Sequence, residues 1–151
     1  MQIFESKIVG HVKKKYDVTK YNFDKHVKGC YNIDDLTKLH LLDLNLCNSE
    51  MLTQDNEAET FFHKRFYQKF NDGWNELTNA FHSFVENEVS PLFDGDFLYQ
   101  QFPSYRVQVP NQIAVSKWHY DNDEDHGHPE WEINFQIAIT DMFDTNCMWI
   151  E

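Results

Sequence analysis

Two hydrophobic periods divide this chain, a helical one before residue 95 and a period of two after it. From about residue 55 to residue 89, apolar residues recur every three or four positions. They are Phe62, Phe66, Phe70, Trp74, Leu77, Phe81, Phe84 and Val85. We interpret them as the buried face of a long helix rather than as the lining of a cofactor pocket. Gly73 should kink or split this helix, and Ser90 followed by Pro91 should end it.

The first 46 residues carry weaker patterns. Residues 1–30 hold short apolar runs around three consecutive lysines, and they predict only weak strand or irregular surface structure. Between residues 34 and 46, Leu36, Leu39, Leu42 and Leu46 follow the helical period. This spacing predicts a short amphipathic helix.

Beyond residue 95, apolar positions alternate with polar ones, and prolines and glycines interrupt the runs. The alternation predicts strands at 97–101, 105–109, 113–121, 132–140 and 147–151. No linker or repeat separates the two halves of the chain. We therefore expect a single α+β domain over residues 1–151, in which a mainly helical scaffold, residues 1–95, packs on an antiparallel sheet from residues 96–151.

Composition indicates a folded protein and argues against two classes of partner, nucleic acids and membranes. Of the 151 residues, 41% are hydrophobic and 16% aromatic, which is enough to bury a sizeable core. The formal net charge of -12 repels phosphate backbones and argues against nucleic-acid binding. Three cysteines stand far apart in sequence, and no apolar run approaches the length of a membrane span. We expect a cytoplasmic protein that contacts neither nucleic acid nor membrane.

One short motif carries recognisable chemistry, since His119 and Asp121 stand two residues apart in a predicted strand. Alternation places both side chains on one face, about 6–7 Å apart at the backbone, where they could bind one metal ion. An imidazole with a carboxylate suits a divalent first-row metal, and two His with one carboxylate form the iron site of non-haem oxygenases. The alternative is a hydrogen-bonded pair on the surface, which a bare His-x-Asp motif does not exclude.

The residues around this motif match a longer pattern. In chain order they are Arg106-Val107, Pro110, His119-Tyr120-Asp121, Gly127-His128-Pro129, Glu132-Ile133-Asn134-Phe135, Ile139-Thr140, Thr145-Asn146 and Trp149-Ile150-Glu151. This last third of the sequence resembles the Fe(II)/2-oxoglutarate-dependent dioxygenases, and among them a branch linked to streptomycin-type antibiotic biosynthesis. By that resemblance, residues 96–151 form the first strands of a double-stranded β-helix, or jelly roll.

The resemblance implies a hydroxylase that uses Fe(II) and the cosubstrate 2-oxoglutarate on a small-molecule substrate, with His119 and Asp121 as metal ligands. The family's second metal-binding His and its 2-oxoglutarate-binding Arg would fall beyond Glu151. We therefore expect an N-terminal fragment without a complete catalytic set, inactive by itself. A non-catalytic metal- or ligand-binding module with a cupin-like sheet is the alternative, and a purely structural interaction domain is a third.

Four more residues are candidate cofactor-binding groups. Asn134 and Gln136 share the polar face of predicted strand 132–140. That face points either into the barrel beside His119, towards 2-oxoglutarate or substrate, or outward to solvent. Arg106 and Gln108 share one face of predicted strand 105–109 and would line the same cavity.

Two further expectations concern the surface. The run from Asp121 to His128 is rich in carboxylates and imidazoles, and we interpret it as a solvated loop rather than a calcium or zinc site of its own. A jelly roll cut after its first strands has open edges, so we also expect the chain to form homo-oligomers.

Overall fold

The computed structural model describes residues 13–44, 57–110, 119–122, 124 and 127–144. About 49% of the structure is helical, and none of these described residues lies in a β-strand. The predicted α+β fold, with its antiparallel sheet and jelly roll, is therefore wrong for this part of the chain. No helix within the same ranges is long and apolar enough to cross a membrane.

The first described segment, residues 13–44, begins with two helices, α1 (Val18–Tyr21) and α2 (Phe23–Tyr31). Asp17 begins α1, because its carboxylate accepts hydrogen bonds from two backbone N–H groups of the first turn. Asn22 adopts a left-handed conformation, with a φ of 50°, and turns the chain between the helices. The prediction of weak strand or irregular structure is wrong here, since the buried positions of α2 follow the helical spacing. These positions are Phe23, Val27, Cys30 and Tyr31.

A 3-10 helix covers Leu36–Leu42, close to the predicted short amphipathic helix. Asp35 caps it by accepting a hydrogen bond from the backbone N–H of Thr37. Leu36 and Leu39 are buried, three residues apart as the 3-10 period requires. Leu46, the last leucine of the predicted helix, lies outside the described residues.

The predicted long helix consists of two α-helices, α3 (Phe61–Asn71) and α4 (Asn75–Phe84), after a 3-10 turn at Glu57–Glu59. Gly73 splits them, because its φ of 89° is incompatible with a continuous right-handed helix. The predicted core face is confirmed: Phe81 is half-buried, and the other seven predicted positions are all buried.

A π turn, Val85–Val89, follows α4 and passes directly into a 3-10 turn, Ser90–Leu92. The backbone N–H of Ser90 donates to the carbonyl oxygen of Val85, which is the five-residue hydrogen bond of a π turn. Pro91 lies in the first turn of the 3-10 segment, where its missing N–H is tolerated. The helical region thus ends within two residues of the stop predicted from Ser90 and Pro91.

The chain divides into two compact units, of which the first comprises residues 1–34 and 65–105. Its described core is aromatic. Tyr21, Phe23 and Phe84 contact one another with ring centroids 5.2–5.8 Å apart. Phe66 of α3 stacks on Tyr105 with centroids 4.1 Å apart and an interplanar angle of 7°. Ring packing between helices and the extended segment after them therefore stabilises this unit.

The second unit comprises residues 35–64 and 106–151. Phe62, Val107 and Val109 are buried in it. Thr60 precedes α3, and its hydroxyl lies 2.6 Å from Nδ1 of the buried His63 side chain. This contact gives both buried polar side chains a partner at the start of the helix.

The segments predicted as strands show no β-ladder hydrogen bonds among the described residues. Alternating burial is nevertheless real at 105–109, where three side chains are buried and two exposed: Tyr105, Val107 and Val109 against Arg106 and Gln108. Such alternation indicates an extended backbone with one covered face, whereas a strand also needs the hydrogen bonds of a neighbouring strand. The predicted strand 147–151 and residues 113–118 of another lie outside the described residues.

Tyr105 makes contacts with helix side chains in place of those that a neighbouring strand would provide. Its ring is covered by Phe66 of α3, and its backbone N–H donates to the hydroxyl oxygen of Tyr67 at 3.0 Å. Helix side chains thus supply both the apolar cover and a hydrogen-bond acceptor that a neighbouring strand would supply. Homo-oligomers were predicted because a cut sheet has open edges. The described residues form no sheet, so this reason has no support in them, and self-association of the chain stays a prediction.

Candidate metal-binding site

His119 and Asp121 lie in contact, although neither belongs to a strand. His119 Nε2 is 3.2 Å from Asp121 Oδ1, and the two side chains are 24% and 44% exposed. A turn begins at Asp121, and the backbone N–H of His128 donates to the Asp121 carbonyl oxygen at 2.9 Å. The pair therefore lies beside a turn and not in a β-strand of the described residues.

Asn134 contacts the same carboxylate from a different segment of the chain. Its side-chain amide donates a hydrogen bond to Asp121 Oδ2, while Oδ1 faces His119. The two oxygens of Asp121 thus have separate neighbours, and the amide restricts rotation of the carboxylate. Asn134 was predicted to contact 2-oxoglutarate or substrate, and the structure places it against the predicted metal ligand Asp121.

A second imidazole and carboxylate lie in the same loop region. His128 Nδ1 is 2.9 Å from Glu132 Oε2, and the backbone N–H of Glu132 donates to the carbonyl oxygen of Pro129 at 2.9 Å. The hydrogen bond from His128 to Glu132 raises the pKa of the His128 imidazole, and the negative charges of Glu132 and Asp121 add to that effect. This pair was not predicted from the sequence, where its signal is an imidazole and a carboxylate four residues apart on either side of a proline.

The donor set fits a divalent metal in part. An imidazole nitrogen and a carboxylate oxygen converge, and these are two of the three protein ligands of a non-haem iron site. The described residues contain no group of three His, Cys, Asp or Glu arranged to hold a metal ion. Asp123, Asp125 and His126 of the predicted solvated loop lie outside the described residues.

Among known proteins, the chain is similar to the streptomycin biosynthesis protein StrG of Streptomyces griseus. The two are 26% identical over 141 residues, a match that covers 93% of this chain and 64% of StrG. The chain thus spans less than two thirds of this relative's length. No protein-family profile matches the chain, and neither does any solved structure.

The match to StrG agrees with one part of the predicted resemblance, the link to streptomycin biosynthesis. It also extends well beyond the last third of the chain, since 141 of the 151 residues are aligned. The name of this relative does not describe a dioxygenase, so that assignment stays a prediction.

The other predicted cofactor-binding residues occupy separate places. The side-chain amide of Gln136 lies 3.8 Å from the sulfur of Met142, within hydrogen-bonding reach. Arg106 and Gln108 are exposed on the segment 105–109, on the face opposite its buried residues. Their role in binding 2-oxoglutarate or substrate stays a prediction.

Proposed function

We propose that this chain forms the metal-binding part of an Fe(II)- and 2-oxoglutarate-dependent oxygenase that hydroxylates a small molecule in a biosynthetic pathway. The observation that carries the proposal is the approach of His119 Nε2 to Asp121 Oδ1 at 3.2 Å. The ordered motif matches from Arg106 to Glu151 support the oxygenase chemistry. The similarity to a streptomycin biosynthesis protein supports the biosynthetic role.

The charge pattern around the pair favours a divalent cation. No Lys or Arg follows Lys117 in the sequence, whereas nine acidic residues do. Acidic residues therefore outnumber basic ones in the sequence after Lys117, and this excess favours a bound cation over an anion.

In the proposed site, the side chains of this chain bind and orient. His119 supplies an imidazole nitrogen and Asp121 supplies a carboxylate oxygen. Asn134 holds the second oxygen of Asp121, so that the first stays directed to the position next to His119. Bound iron with 2-oxoglutarate supplies the oxidising chemistry, which side chains alone do not provide.

Metal titration tests the assignment of the ligands. Mn(II), a redox-quiet substitute for Fe(II), is titrated into the wild-type chain and its variants, and the free ion is followed by electron paramagnetic resonance. We expect His119→Ala and Asp121→Ala to lose most of the binding. Asn134→Ala should weaken it by about 10–100-fold, because a group that orients a ligand is removed.

His40→Ala is the matched control, since it also removes one imidazole from the second unit. It should leave Mn(II) affinity unchanged. Binding that survives both His119→Ala and Asp121→Ala, or that falls equally in His40→Ala, would contradict the assignment.

A second titration separates an oxygenase from the alternative, a non-catalytic metal-binding module. If 2-oxoglutarate binds to the metal, each must tighten the binding of the other by the same factor. We expect 2-oxoglutarate to lower the dissociation constant of Mn(II) in the wild-type chain. An unchanged constant at saturating 2-oxoglutarate would favour the non-catalytic module.

A further inference from the structure

An open cavity of about 480 Å³ lies in the first unit, where the end of α4 and the π turn face the segment that follows Gly95. Its lining includes His82, Glu86, Ser90, Asp96, Phe97 and Tyr99. All of them belong to the first unit, whereas His119 and Asp121 belong to the second. The volume falls within the range of small-molecule sites, about 300–1,000 Å³.

The π turn brings the helical residues of this lining to one side. His82, Glu86 and Ser90 are spaced four residues apart, and in an uninterrupted α-helix each such step drifts by about 40° around the axis. The wider turn at Val85–Val89 holds more residues per turn and rotates Ser90 back towards the side of His82. Single π turns are frequent at functional sites.

The titratable groups that line the cavity are two acidic residues, one histidine and one tyrosine. Glu86 and Asp96 contribute two carboxylates, and no Lys or Arg is among the described residues that line it. Both acids are exposed, so their field reaches the open mouth of the cavity. Carboxylates that line one concave surface attract cations and repel anions.

Two aromatic rings, those of Phe97 and Tyr99, line part of the cavity and contact neighbouring side chains. The Tyr99 hydroxyl lies 2.9 Å from His82 Nδ1, and its ring centroid is 6.0 Å from that of Phe97. Phe97 in turn stacks on Phe93, with centroids 4.7 Å apart. The face of an aromatic ring attracts a cation within about 6 Å and also packs against the apolar part of a ligand.

We propose that this cavity binds an organic cation, a molecule with an ammonium or guanidinium group on an apolar body. The nitrogen group lies between Glu86 and Asp96, and the apolar body packs on Phe97 and Tyr99. A bare metal ion fits the site less well, because the described residues hold no group of three metal-ligating side chains. The site is independent of the proposed iron site in residues and in chemistry.

Binding of benzylamine, which is protonated at neutral pH, tests the proposal against benzyl alcohol, its neutral analogue of the same shape. Chemical shifts of the labelled wild-type protein are followed during each titration. We expect benzylamine to shift the Gly95 and Asp96 amides and to bind about tenfold more tightly than benzyl alcohol. Failure of benzylamine to bind at millimolar concentration, or equal binding of the alcohol, would overturn the proposal.

Two variants with equal net charge separate the cavity from the general acidity of the protein. Glu86→Gln combined with Asp96→Asn removes both carboxylates of the cavity, and we expect benzylamine affinity to fall about tenfold. Asp72→Asn combined with Glu76→Gln removes two exposed acids outside the lining and should change affinity less than about twofold. Equal losses in the two double variants, or no loss in the first, would show that the cavity does not bind the cation.

Discussion

Replacement by alanine should change the stability of the protein in opposite directions at two glycines, Gly73 and Gly29. Gly73 lies between α3 and α4 with a φ of 89°, whereas Gly29 lies inside α2 without a positive φ. A Cβ atom added at either position meets no atom within 4 Å. Packing therefore contributes little, and the backbone conformation decides the sign of the change in stability.

The magnitudes follow from these conformations. An alanine in the left-handed region destabilises the folded state by about 1–2 kcal/mol. Alanine also lowers the entropy of the unfolded chain relative to glycine, which offsets this loss only in part. We expect Gly73→Ala to lower the free energy of unfolding by about 1 kcal/mol. Gly29→Ala should raise it by about 0.5–1 kcal/mol, because alanine is the better residue inside a helix.

Urea unfolding followed by far-ultraviolet circular dichroism measures both effects. With a slope of about 2 kcal/mol per molar urea, the two midpoints should differ by about 1 M. The slopes themselves should stay equal to that of the wild type, which shows that both variants unfold in the same way. Shifts of the same sign and size would refute the reasoning, because they would mean that backbone conformation does not decide the outcome.

Two further predictions concern the core and the acid dependence of stability. Phe66→Ala should lower the free energy of unfolding by about 3–5 kcal/mol, because Phe66 is 3% exposed. Phe61→Ala in the same helix should lower it by about 1 kcal/mol or less, since Phe61 is 39% exposed. Equal losses of the two variants in denaturant unfolding would contradict the assigned core face. If Phe66→Ala does not fold, Phe66→Leu replaces it, with an expected loss of about 1–1.5 kcal/mol. The Tyr21 hydroxyl donates a hydrogen bond to the Glu88 carboxylate and holds the pKa of that carboxyl below its usual 4.5. The ionised Glu88 therefore stabilises the fold above pH 4.5, and this stabilisation is lost as the pH falls through the lower pKa of the folded state. Tyr21→Phe should raise the pKa of Glu88 in a titration followed by nuclear magnetic resonance, and an unchanged pKa would show that the hydroxyl is not the cause.

Local patterns in the sequence were sufficient for the helical middle of the chain. The aromatic positions of α3 and α4 lie three or four residues apart, and a helix brings such residues to one side whatever surrounds it. Gly73 was predicted to kink or split the helix on the same local grounds, and its φ of 89° shows the split. The contact between His119 and Asp121 also needs only a short stretch of chain, so their proximity was predictable even though the strand that suggested it is absent from the described residues.

Tertiary structure alone decided what the extended segments become. The burial pattern at 105–109 is that of a strand, yet Tyr105 packs on Phe66, 39 residues earlier in the chain, instead of entering a sheet. The hydrogen bond from Asn134 to Asp121 likewise joins residues 13 positions apart, and no periodic pattern in the sequence predicts it. A helix closes its hydrogen bonds within four residues, so a short stretch of sequence is enough to predict it. A strand depends on a partner strand that can come from any part of the chain. Alternation determines only that one face of a segment is covered; the fold determines whether a strand or a helix covers it.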